Sequence, residues 1–312
     1  MLSSSSWRRL AQRPLRRRVD AGAESVVLEV TGGVRLAGLF TAQTQRPQSR
    51  GLALLYHGWE GSTDSSYVVQ IGARLLADGW DIFRLNFRDH GGTYELNTEL
   101  FNSCMLDEVV EASIEVRRRW HRDGTPMVLA GFSLGGNFAL RVALTAPQAG
   151  LGLDHVVAVC PVIDPNTNLA SLEDAPWMYH WYFMRQWRAS LKRKQRLFPE
   201  EHFFAPRELR QNLRNLTRLM VERRTDFGTL DNYLDGYSVA GSRMAGMQVP
   251  TTILTSKNDP IIPVEDFHHL TVPGCVELDI ADHGGHCGFL MDWHFHSFTD
   301  AYIAERFNAL AT

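Results

Sequence analysis

Short apolar runs alternate with helical stretches along most of this 312-residue chain, and that alternation constrains its fold more than any other feature. Leu52–Tyr56, Trp80–Asn86, Met127–Ala130, Val156–Cys160, Thr252–Leu254 and Val276–Ile280 read as buried strands. Between and after them, the apolar spacing predicts helices near Tyr67–Ala77, over Leu106–Trp120, Leu134–Thr145 and Phe295–Leu310. Strands that alternate with helices imply a mostly parallel sheet covered on both faces. Val26–Val30 and Val34–Phe40, joined by Thr31-Gly32-Gly33, predict an antiparallel hairpin at its start.

One stretch breaks the rhythm. Residues 166–249 contain no strand signal, so the expected organisation is a core of 23–165 and 250–312 with a helical cap inserted at 166–249. In the cap, Trp177, Trp181, Met184, Trp187 and Leu191 share one helical face. Leu209, Leu213, Leu216 and Met220 form a second face, entered through Pro206 as a first helical residue.

Charge is unevenly spread. The formal net charge is -3, yet the first 20 residues carry six arginines against one acid. The segment Pro176–Gly228 carries twelve Lys/Arg against five Asp/Glu. Such patches attract anionic surfaces; here they suggest peripheral contact with an anionic membrane rather than nucleic acid, and no obligate protein partner. Residues 1–22 read as a flexible basic segment in which Pro14 interrupts any helix. Rich in Ser and Arg, the segment also resembles a mitochondrial transit peptide. Four scattered cysteines without a CxxC pair argue against a disulfide framework or a thiolate zinc site, and fit a reducing, cytoplasmic setting. No apolar run approaches the ~20 residues of a membrane span.

Three loops after strands carry the candidate chemistry. Gly131-Phe132-Ser133-Leu134-Gly135 is G-x-S-x-G between a strand and a helix, the setting in which a serine is displayed on a sharp turn. Ser133 is the expected nucleophile. A serine needs a base, and an acid to orient that base, and in this arrangement they follow it as acid and then histidine. Asp259, after the strand Thr252–Leu254, is the expected acid, with Asp164 as rival and Asp282 and Asp292 less well placed. His286, after the last strand, is the expected base, with His283 as competitor. His57-Gly58-Trp59 follows the strand Leu52–Tyr56; the amides of Trp59 and Leu134 are the expected oxyanion donors. Trp181 and Trp187 are expected to line an acyl pocket. His283, His286, His294 and His296 fit no firm metal-ligand spacing, and no nucleotide motif occurs, so neither metal nor cofactor is expected. Arg88-Asp89-His90-Gly91-Gly92 reads as a structured loop beside the site.

Together, Tyr56-His57-Gly58-Trp59-Glu60-Gly61-Ser62, Asn86-Phe87-Arg88-Asp89-His90-Gly91, Gly131-Phe132-Ser133-Leu134-Gly135-Gly136-Asn137, Asn258-Asp259-Pro260 and His283-Gly284-Gly285-His286-Cys287-Gly288-Phe289 resemble the YheT-like branch of the α/β hydrolases. The resemblance implies the α/β-hydrolase fold and cofactor-free hydrolysis of carboxylic esters through Ser133, Asp259 and His286; some animal relatives act on phospholipids. The leading expectation is a serine esterase for short- to medium-chain acyl esters. Lipase or phospholipase action and acyl transfer are the enzymatic alternatives. A catalytically silent binding module is the reading of a different class, against which the complete serine, acid and histidine set speaks.

Overall fold

The computed structural model describes residues 13–292 and 296–311. Its elements, in chain order, begin with α1 (Arg13–Asp20), β1 (Glu24–Glu29), a 3-10 turn (Thr31–Gly33), β2 (Arg35–Thr41) and β3 (Leu52–Tyr56). Next come α2 (Ser66–Asp78), β4 (Asp81–Asn86), α3 (Leu106–Trp120), β5 (Met127–Phe132), α4 (Leu134–Ala149) and β6 (His155–Val159). Four helices follow before the sheet resumes: α5 (Pro165–Asp174), α6 (Trp177–Leu197), α7 (Leu213–Arg224) and α8 (Leu230–Gly236). The chain continues with β7 (Thr251–Ser256), α9 (Glu265–His268), β8 (Val276–Ala281) and α10 (Phe298–Asn308).

The strands form one sheet in the order β1-β2-β4-β3-β5-β6-β7-β8. β2 pairs antiparallel with β1 and β4; every later pairing is parallel. β3 is buried at every position, as a central strand covered on both sides must be. Its side chains alternate between two cores: Leu52, Leu54 and Tyr56 join Phe138 and Val109 from α4 and α3, whereas Ala53 and Leu55 join Ile71 and Phe307 from α2 and α10. The strand order reverses between β3 and its neighbours β4 and β5. A crevice opens beyond the carboxyl ends of the strands at such a switch point. The loops after β3 and β5 are those carrying His57-Gly58-Trp59 and Ser133.

Several expectations need correction. Residues 13–20 are a docked helix rather than part of a flexible tail. Val19 is fully buried, its carbonyl accepts from Thr41 Oγ1 at 3.0 Å, and Asp20 pairs with the buried Arg84 at 2.8 Å. Pro14 sits in the first turn of this helix, where a missing N–H costs little. Residues 1–12 lie outside the described residues, as does Phe295, the expected start of the last helix. In α6 the packed side chains are Phe183, Met184, Trp187, Leu191 and Lys194, while Trp177 is 74% and Trp181 52% exposed. The packed arc is turned away from Trp177 and Trp181 and takes in Lys194, which meets a buried carboxylate, Asp89, at 2.6 Å. Lys194 therefore does not belong with the outward Lys192, Arg193 and Arg196. Pro206 does not start a helix: Leu209 lies in a separate 3-10 turn, and α7 begins after Asn212, whose side chain caps the Asn215 amide at 2.9 Å. No helix among the described residues is long and apolar enough to cross a membrane.

Candidate active site

The turn from β5 into α4 holds Ser133 at φ 56° and ψ −120°, a backbone region that a side chain normally avoids. The fold enforces it by close approach. A Cβ on Gly131 would lie 2.2 Å from the Gly135 carbonyl oxygen, and one on Gly135 would lie 2.3 Å from that of His57. Only glycine fits at either position. The Ser133 amide is fixed to the Val159 carbonyl at 2.9 Å, which ties the turn to the end of β6.

The loops after β7 and β8 meet this serine. Ser133 Oγ lies 2.9 Å from His286 Nε2, and His286 Nδ1 lies 2.8 Å from Asp259 Oδ2. The other Asp259 oxygen accepts the Ile261 and Ile262 amides at 2.9 and 3.1 Å. Asn258 Oδ1 accepts the Gly284 and Gly285 amides, both at 2.9 Å, and so sets the histidine loop. Burial alone would raise the Asp259 carboxyl, but the His286 charge and hydrogen bond, with the two amides, hold it below its ordinary value. Burial alone would lower His286, yet Asp259 pushes it up to about 9. This chain can pass a proton from hydroxyl to imidazole while the carboxylate fixes the tautomer and stabilises the imidazolium. The rival residues have other work. Asp164 caps α5 through the Asn166 amide at 2.9 Å, and Asp282 pairs with Lys257 at 2.6 Å. His283 is exposed, Asp292 binds His296 at 2.6 Å, and His294 lies outside the described residues. Among the described residues, Cys160, His286 and Cys287 bring donor atoms within 4.8 Å of one another, and both nitrogens of His286 are already engaged.

The turn after β3 packs directly on the nucleophile: a Cβ on Gly58 would lie 3.1 Å from Ser133 Cβ. Two histidines brace it from behind. His57 Nδ1 donates to the Gly58 carbonyl at 2.8 Å, and its Nε2 accepts the Phe87 amide at 3.2 Å. His90 Nδ1 donates to the Arg88 carbonyl at 2.7 Å, and its Nε2 accepts the Glu60 amide at 3.1 Å. Burial keeps His57 well below its ordinary pKa and pushes His90 down to about 4, so both rings are neutral. The Gly58 amide goes to Tyr67 Oη at 2.9 Å, and the Gly61 amide to the Gly58 carbonyl at 2.9 Å. Among the described residues no acceptor meets the Trp59 amide or that of Leu134, the first residue of α4.

Sequence reasoning placed the Arg88–Gly92 loop beside the site but missed its links. Asp89 holds Lys194 of α6, which also donates to the Tyr94 carbonyl at 3.2 Å and to that of Asn97. Ser190 of α6 donates to Glu60 at 2.5 Å. Burial pushes the Glu60 carboxyl up to about 7, although that bond opposes the rise. A lysine on an otherwise apolar helical arc was the available signal.

Ser133, Leu134 and His286 line a cavity of about 100 Å³, walled by Trp59, Leu169, Phe183, Trp187 and Met220 among others. Trp59 stacks on Phe183 at 5.7 Å and meets the edge of Trp187 at 5.5 Å. Trp187 therefore lines the cavity. Trp181 does not; it faces outward, where Arg185 lies over its ring at 5.2 Å.

Comparison with known proteins places the fold and the family. The chain is 24% identical to the "Putative esterase YheT" of Escherichia coli (strain K12) over 272 residues, 84% of this chain and 77% of that protein. The Pyrococcus furiosus esterase Pf2001 superposes with a TM-score of 0.59 at 14% identity, covering 93% of each chain. Mouse alpha/beta hydrolase domain-containing protein 10 superposes with a TM-score of 0.53 at 15% identity, covering 92% of this chain and all of the other. The profile of the family described as serine aminopeptidase, S33, matches residues 47–287. An eight-stranded, mostly parallel sheet with this elbow, and a family match over most of its length, make the chain a member of the S33 family of α/β hydrolases.

Proposed function

We propose that this hydrolase cleaves carboxylic esters through an acyl-enzyme. Ser133 attacks the carbonyl, His286 acts first as base and then as acid, and Asp259 orients it. The Trp59 and Leu134 amides hold the oxyanion, each contributing roughly 3 kcal/mol to transition-state stabilisation. The observation that carries the reading is the continuous Ser133–His286–Asp259 hydrogen-bond chain opening into an apolar cavity. The cavity is small beside the ~300–1,000 Å³ of pockets that enclose drug-sized ligands, which favours short acyl chains as the first substrates. Removal of an N-terminal amino acid, which the family description suggests, finds less support. Among the described residues, no carboxylate lines the cavity to hold a substrate α-ammonium group.

The test is a fluorophosphonate probe followed by peptide mapping, together with a panel of p-nitrophenyl esters of graded length. Adduct formation on Ser133 and turnover fastest on short esters are expected. An unlabelled native protein would favour a silent binding module, whereas labelling with turnover only when an alcohol acceptor is added would favour acyl transfer.

A further inference from the structure

The helix that roofs the cavity has a second functional face. At about 100° per residue, Trp177, Trp181, Arg185, Arg188, Lys192 and Arg196 fall within one arc of α6. That arc is opposite the side that buries Phe183, Trp187 and Lys194. Its composition is segregated along the helix. The first turns expose Trp177 (74%), Met178 (48%) and Trp181 (52%). The later turns carry the cations, with Gln195 among them. There Arg188, Lys192 and Arg196 join Arg210 around a groove of about 740 Å³ whose apolar wall is Phe204, Pro206 and Leu209.

These cations are not structural ion pairs. Among the described residues none of the four has a carboxylate partner. Arg188 donates to the Gln211 carbonyl at 2.8 Å, and Arg196 to the Lys192 carbonyl at 3.2 Å, so both are held by backbone oxygens with their charge uncompensated. Two acids close in sequence are engaged elsewhere: Glu201 with Arg224 at 3.1 Å and Glu208 with Arg223 at 2.8 Å.

We propose that the outward face of α6, with Arg210, is a docking surface for an anionic lipid bilayer. Charge complementarity selects an anionic partner. The grouping of the tryptophans selects lipid over nucleic acid. Aromatics that stack on bases are interleaved with the cations that track phosphates, whereas here Trp177, Met178 and Trp181 form one apolar wedge at the end of the basic stripe. A wedge of this kind enters the headgroup layer while the cations meet lipid phosphates, as in interfacial amphipathic helices. Docking would place the cavity roof on the membrane. The inference is independent of the ester reading, because binding is measured without turnover.

Co-sedimentation of the full chain with vesicles tests it. Binding to phosphatidylcholine vesicles containing phosphatidylglycerol, little binding to phosphatidylcholine alone, and weakening as salt is raised are expected. Replacing Arg188, Lys192, Arg196 and Arg210 by Gln should reduce binding about tenfold or more. Trp177→Ser with Trp181→Ser should reduce it at every salt concentration. Should circular dichroism show the fourfold variant unfolded, Lys192→Gln and Arg196→Gln, both at exposed positions, decide the point by a smaller loss. No binding to phosphatidylglycerol vesicles, or binding that survives removal of the charges, would overturn the proposal. So would tight binding of single-stranded RNA in place of vesicles.

Discussion

The strand-end loops and the cap are built on opposite terms. At the loops, polar groups are held several times over: Asp259 by three donors, Asn258 by two amides, and His57 and His90 through both ring nitrogens. In the cap, the cavity wall is made largely of apolar side chains such as Phe183, Trp187 and Met220, and the polar links to the core, such as Lys194 to Asp89 and Ser190 to Glu60, lie beside it. Hydrogen bonds fix atoms in place, whereas apolar packing tolerates substitution provided volume is kept. Reaction geometry can therefore stay constant while the cap is repacked to suit different substrates.

Five measurements can break or sharpen that contrast. The largest effect belongs to the elbow. Ser133→Ala should lower kcat on a short ester by ~10⁶ while leaving the fold intact; substantial residual turnover would place the nucleophile elsewhere. Asp259→Asn comes next, at on the order of 10⁴, because His286 loses its tautomer control. Asp164→Asn should do far less, and the reverse ranking would move the acid to the end of β6. Only neutral imidazole accepts the serine proton, so kcat/KM in the native protein should rise with pH through about 9. A profile that is flat across the whole range in which histidines titrate would remove His286 as base.

Lys194 joins the two regions, and its loss tests whether the join matters. Lys194→Met leaves the buried Asp89 carboxylate uncompensated and should destabilise the protein by about 3–5 kcal/mol. The double substitution Asp89→Leu, Lys194→Met should restore most of the melting temperature; failure to do so would show that the pair acts through more than its charge. The smallest effect belongs to the cap wall. Trp187→Ala should change the ratio of rates on long and short esters by roughly 10-fold, while Trp181→Ala should leave both nearly unchanged. Equal losses across chain lengths for Trp187→Ala would mean destabilisation alone.

These residues also show what the sequence could reveal. β3 and α3 are legible to the residue, because burial on both faces of β3 and a helical apolar period in α3 are local signals. The elbow is equally local: two glycines and a serine between a strand and a helix. The rotation of α6 is not local, since it depends on Asp89, 105 residues before Lys194. Nor is the docking of α1, which depends on Arg84, 64 residues after Asp20. The bracing of Glu60 by His90 is hidden for another reason: its partner is a backbone amide, which any residue would supply.

The backbone of Ser133 has a consequence for inheritance. At φ 56° and ψ −120° a side chain is held against its own preference, and strain of this kind costs about 1–3 kcal/mol. Selection for activity keeps the serine there. A descendant freed from that selection would gain stability by drifting to glycine, which adopts this conformation readily. Both Ser133→Gly and Ser133→Ala lose the hydroxyl, but only the first relieves the backbone, so the glycine variant should melt at the higher temperature.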